Sequence, residues 1–137
     1  MKISRFEDLE IWQQARELTR WVYKLTANGR FSRDYGLKDQ MRRASVSIMA
    51  NIAEGFSRRG DKEFTQFLFV AKSSAAELQS HAYVALDQDY ITDTDFKGLY
   101  ESLDHISRML SNFIKRLLRN PRDRRVTQST LETQQTL

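Results

Sequence analysis

Phe64-Thr65-Gln66-Phe67-Leu68-Phe69-Val70-Ala71-Lys72-Ser73-Ser74-Ala75-Ala76-Glu77-Leu78-Gln79-Ser80-His81-Ala82-Tyr83-Val84-Ala85 carries two apolar stripes where a helix usually needs one. The first stripe is Phe64, Leu68, Ala71, Ala75, Leu78, Ala82 and Ala85, stepping by four and three residues. The second, on another face, is Phe69, Ser73, Ala76, Ser80 and Tyr83. A helix in a solitary bundle buries one stripe, so the second predicts contact with another molecule. Its serines and alanine would let a neighbouring helix approach closely. A companion heptad line, Leu9, Trp12, Arg16, Thr19 and Tyr23, lies beside the core stripe of an earlier segment. Aromatic residues and Arg are enriched in interfaces. The sequence therefore predicts a homo-oligomer, with Leu9, Trp12, Tyr23, Phe69, Ser73, Ala76, Ser80 and Tyr83 at its interface.

Working outward, this segment extends from Asp61, a favourable first-turn residue, to about Asp87. Before it, a helix over about 35–56 carries Leu37, Met41, Ala44, Ile48 and Ile52, with Gly55 and Gly60 marking the turn. The first helix covers about 7–27, with Ile11, Ala15, Leu18, Val22 and Leu25 inward and Asn28-Gly29 as its stop. Thr92 and Asp95 resemble a capping box opening the last helix. That helix carries Phe96, Leu99, Leu103, Ile106, Leu110, Phe113 and Leu117, and Asn120-Pro121 ends it. No segment alternates with a two-residue period, and the connections are short. The expectation is an all-α, antiparallel up-down-up-down four-helix bundle over 6–118. A basic, Thr- and Gln-rich tail over 119–137 reads as disordered.

The 137 residues suit one domain and contain no cysteine, so disulfides and thiolate metal sites are excluded. Met1-Lys2-Ile3-Ser4-Arg5 lacks a signal peptide's apolar run, and no stretch approaches the roughly 20 apolar residues of a membrane span. These features predict a cytoplasmic protein without a membrane partner. Net charge is +4, yet residues 1–114 are balanced. The excess comes from Lys115, Arg116, Arg119, Arg122, Arg124 and Arg125, opposed by Asp123 and Glu132. A basic end of this kind suits a polyanion such as RNA or DNA, or simply a solvated terminus.

The second helix also holds a polar ladder, Gln40, Arg43, Ser47, Asn51 and Glu54, spaced to share a face beside the apolar stripe. Polar groups at a core edge need partners, and Arg43 is matched to Glu77 as a candidate pair. The ladder is read as a structural network, ahead of a binding site. Arg42 faces away from it and, with Arg58, Arg59 and Lys62, is a candidate nucleic-acid contact.

Phe6 through Ala15, Tyr35-Gly36-Leu37, Gln40 through Ala44, and Asn51-Ile52-Ala53-Glu54-Gly55 with Arg58 resemble the bacterial four-helix-bundle family named after intervening sequences in 23S ribosomal RNA genes. Phe67-Leu68 and Ala71 through Glu77 resemble its next block, in which small residues precede a glutamate. The likeness spans about 6–118. One departure is Ser32 after Phe31, where the family often has proline. The resemblance implies a homopentamer. It also implies a relation to the accessory protein of diversity-generating retroelements, a basic pentamer that engages RNA and a reverse transcriptase. Family membership supplies no biochemical activity.

An enzyme is not expected. Glu77 and Glu101 precede His81 and His105 by four residues, whereas a di-iron bundle uses Glu-x-x-His on inward faces. No phosphate loop, nucleophile elbow or zinc motif is present. No catalytic residue, metal or cofactor is predicted. The expected partners are a second copy of the chain and RNA or DNA. The alternative is a scaffold for a reverse transcriptase or a ribosome-associated protein.

Overall fold

Each amphipathic segment folds as a helix with its apolar stripe inward. The computed structural model describes residues 3–119; Arg122, Arg124 and Arg125, with the rest of the expected tail beyond Arg119, lie outside them. Among the described residues are four α-helices and no strand: α1 (Glu10–Thr26), α2 (Tyr35–Phe56), α3 (Asp61–Asp87) and α4 (Asp93–Arg119). Short 3-10 turns, Phe6–Asp8 and Gly29–Arg33, precede α1 and α2. All seven members of the first α3 stripe are fully buried, from Phe64 to Ala85. They meet Ile11, Ala15 and Val22 of α1, Met41, Ile48 and Ile52 of α2, and Leu99, Leu103 and Phe113 of α4 in one core.

The ends follow from local chemistry. Asp34 Oδ1 accepts the Leu37 amide at 3.1 Å, capping α2. Thr92 Oγ1 accepts the Asp95 amide at 3.0 Å, as its spacing predicts for α4. After α3 the chain reverses at Asp89, whose φ of 59° is left-handed, while the Tyr90 amide donates to Ala85 O at 2.9 Å. α1 begins later than the sequence predicts. Leu9 is extended and fully buried, so the chain turns there and the helix starts at Glu10.

α2 packs on α3, α3 on α4, and α1 on α2 and α4. The α2–α3 approach is close at Gly55, where an added Cβ would lie 2.8 Å from Phe67 Cβ. Ser47 meets Ser74 farther along the same pair of helices. Between α3 and α4, Phe64 meets Phe113 near one end, and Gln79 reaches the Tyr100 carbonyl farther along.

Candidate functional site

The outer face of α3 leaves large apolar side chains in water. Phe69 is 49% exposed and Tyr83 50% exposed, and Ser73, Ala76 and Ser80 between them are exposed too. Val70 and Val84 widen the stripe, although the sequence pattern did not single them out. Their signal was their place one residue beyond Phe69 and Tyr83, still on the side away from the core. Tyr83 leans toward α4, with ring centroids 4.8 Å from Phe96 and 5.9 Å from Tyr100.

The expected α1 line is largely consumed within the protomer. Leu9 is a correction: with no exposed area it belongs to the core, because the chain turns inward there. Trp12 is half-buried and packs edge-on against Phe6 at 5.1 Å, with the Arg16 guanidinium 5.8 Å over its ring. Thr19 donates to Ala15 O and lies 3.2 Å from Ser45 O, so it faces α2. Tyr23 stays accessible at 41%, and its neighbour in water is Val46 of α2 at 40%. Val46 escaped notice because α2 was read for its polar residues. Tyr23, Asp39, Arg42, Arg43, Val46 and Ser47 line an open groove of about 600 Å³.

The polar ladder divides. Ser47 Oγ and Ser74 Oγ are 2.8 Å apart, and Asn51 Nδ2 donates to Ser47 O at 2.8 Å and to its Oγ at 3.0 Å. This half-buried network bridges α2 and α3, with Ser74 a member that the α2 pattern had no means of revealing. Gln40, Arg43 and Glu54 are exposed, since the helical repeat carries them past the contact line. The Arg43–Glu77 match is corrected: Glu77 approaches His81 Nε2 at 3.5 Å, and Arg43 has no ion pair among the described residues. The His81 contact is long and misaligned, leaving buried Nε2 without a hydrogen bond.

The basic residues also differ in freedom. Arg42 is a correction to its outward reading. Its Nε donates to Thr26 Oγ1 at 2.8 Å, and its guanidinium lies 4.4 Å over the Tyr23 ring. It ties α2 to the end of α1. Arg58 donates to Glu54 Oε1 at 3.2 Å and covers Phe67 at 4.9 Å. Arg59, Lys62, Lys115 and Arg119 are exposed, and Arg116 is half-buried. The Phe64–Phe113 contact at 5.1 Å draws the start of α3 beside the last turns of α4. Two basic groups far apart in sequence thus occupy one end of the molecule. No trio of His, Cys, Asp or Glu among the described residues is placed to hold a metal ion, and no described helix is long and apolar enough to cross a membrane.

Among the described residues the protein is all-α, built of four helices. A similar solved structure is the 1.70 Å crystal structure of a protein with unknown function from the S23 ribosomal protein family of Bacteroides thetaiotaomicron VPI-5482. It is 22% identical, with a TM-score of 0.71, covering 77% of this chain and 98% of that one, and at that identity the likeness is one of fold. No curated protein matches the chain by sequence. Residues 7–112 match the model of the 23S rRNA-intervening sequence protein family, and the chain belongs to that family.

Proposed function

We propose that this protomer is an antiparallel up-down-up-down bundle that assembles with copies of itself and binds RNA or another nucleic acid through its basic end. The antiparallel order is supported by partners whose numbers run in opposite directions. Gly55 meets Phe67 while Ser47 meets Ser74, and Phe64 meets Phe113 while Gln79 meets Tyr100. Self-association rests on one observation above all, the outer face of α3 from Phe69 to Tyr83 in water. A pentamer is the number that the family resemblance suggests, as it suggests kinship with the retroelement accessory protein. The role is non-enzymatic and cytoplasmic in this reading.

Nucleic-acid binding is supported by the gathering of Arg59, Lys62, Lys115, Arg116 and Arg119 at one end. A ring repeats that end in every subunit, so weak phosphate contacts gain avidity. Such contacts supply affinity without reading sequence. Light scattering with a panel of folded RNAs across salt tests this. The logarithm of the binding constant is expected to fall steeply with the logarithm of salt, by about 0.9 per neutralised phosphate on a duplex. Arg59→Ala with Lys62→Ala flattens that slope and leaves the assembly's mass unchanged. A flat salt response, or no complex at low salt, would favour a scaffold for another protein.

A further inference from the structure

We infer that the α1–α2 edge is a second nucleic-acid site, a track on which unpaired RNA bases stack against Tyr23 and Tyr35. The inference rests on the nucleic-acid reading and adds a ligand class, single-stranded rather than duplex RNA. Two aromatic rings are exposed along this edge. Tyr35, the first residue of α2, is 67% exposed, above every other large apolar side chain among the described residues. Tyr23 of α1 is 41% exposed. A cation lies over each ring, Lys38 Nζ 4.8 Å from the Tyr35 centroid and the Arg42 guanidinium 4.4 Å from that of Tyr23. Lys38 also donates to the Ser32 carbonyl at 3.1 Å, and Arg42 Nε to Thr26 Oγ1 at 2.8 Å. These bonds hold the cations beside the rings.

Seven residues, two helical turns, separate Tyr35 from Arg42 on one face of α2, a rise of about 10 Å. Tyr23 joins that face through Arg42, so both rings border one strip. Beside them lies the groove of about 600 Å³, where Asp39 is the one acid and Arg43 has no ion pair among the described residues. Arg33, exposed just before α2, is likewise without an ion pair among them. Cations along a groove follow phosphates and exposed rings take base faces, the two parts of a single-strand site. A duplex keeps its base faces inside its own stack, so it offers this surface only phosphates and sugars. Val46 is the one aliphatic side chain lining the groove, too little for the apolar centre of a protein interface.

Fluorescence anisotropy of the full chain, with a labelled oligouridylate and with an RNA duplex of equal length, tests the inference. The wild type is expected to bind the single strand more tightly than the duplex. Tyr23→Leu and Tyr35→Leu are each expected to lower that preference by about fivefold or more, the loss of one stacked base. Tyr23→Phe keeps the ring and is expected to keep the preference. An oligonucleotide carrying iodouridine is expected to crosslink to Tyr23 or Tyr35 under ultraviolet light, as mapped by mass spectrometry. Circular dichroism verifies folding, and Tyr35→Leu, at an exposed helix end, carries the test if Tyr23→Leu fails this check. A preference that survives both leucine substitutions overturns the inference alone, and so does a wild type that favours the duplex. Failure to bind either RNA at low salt defeats the nucleic-acid reading as well.

Discussion

Gly55 and Gly98 show how close contacts set the tolerance of single positions. A Cβ at Gly55 would lie 2.8 Å from Phe67 Cβ and 3.3 Å from the Phe64 carbonyl, atoms fixed to the α3 backbone. Gly55→Ala is therefore expected to destabilise by roughly 1–2 kcal/mol, overpacking outweighing the gain of about 1 kcal/mol in helix propensity. At Gly98 the obstacle is Trp21 Cη2 at 2.8 Å, the far end of a half-buried ring that is able to tilt. Gly98→Ala is expected to cost less, under about 1 kcal/mol, and urea unfolding of both variants checks the order. Tyr90 belongs to the same scale. Its hydroxyl donates to Asp34 Oδ2 at 3.0 Å, and that bond, with burial and the carboxylate's charge, raises its pKa above 10.0 against the opposing pull of Arg30. Because the folded value lies above the unfolded one, this contribution is complete below pH 10 and is lost as pH rises through the folded value. Tyr90→Phe is expected to remove one upward-displaced phenolate transition from an ultraviolet titration and to reduce the alkaline loss of stability. A Tyr90 that titrates at or below the ordinary value would contradict the assignment.

At the scale of the element, caps and stripes account for the helices. Thr92 holds the Asp95 amide, so Thr92→Ala is expected to cost about 1 kcal/mol and to raise hydrogen exchange in the first turn of α4. Equal exchange in both proteins would deny the cap its role. The bounds of α2 and α3 and the start of α4 were legible because glycine, Asp61, Thr92 and sustained four-and-three stepping mark them. The start of α1 was not, since Leu9 continues an apolar period whether it sits in the helix or in the turn before it. The α3 seam was legible for the reason that its core stripe was: a period of 3.6 fixes which residues share a face. The groove was hidden because it is made by two helices, and Tyr23 and Val46 become neighbours only once α1 and α2 pack. Partner choice for polar side chains was hidden for the same reason. Composition named Arg42, Arg43 and Glu77 as charged; only packing sends Arg42 to Thr26 and leaves Arg43 open.

At the scale of the whole molecule, the proposed self-association would cover the apolar outer face of α3 that a single protomer leaves in water. The outer face of α3 and the α1–α2 groove lie on its sides, whereas the gathered cations of Arg59, Lys62 and Arg119 lie at one end. Lateral association, as proposed, would leave that end accessible, so the proposed assembly and nucleic-acid binding are expected to be separable by mutation. Covering the seam moves Phe69, Val70, Tyr83 and Val84 out of water, a hydrophobic gain on the order of 25 cal/mol per Å² removed. Self-association is decided by the mass of the wild-type protein in sedimentation, followed down a dilution series. A species at five times the 16.1 kDa chain is expected, persisting on dilution and giving way to single chains only with loss of helix stability. A folded single chain at every concentration, as stable as at the highest, would contradict it.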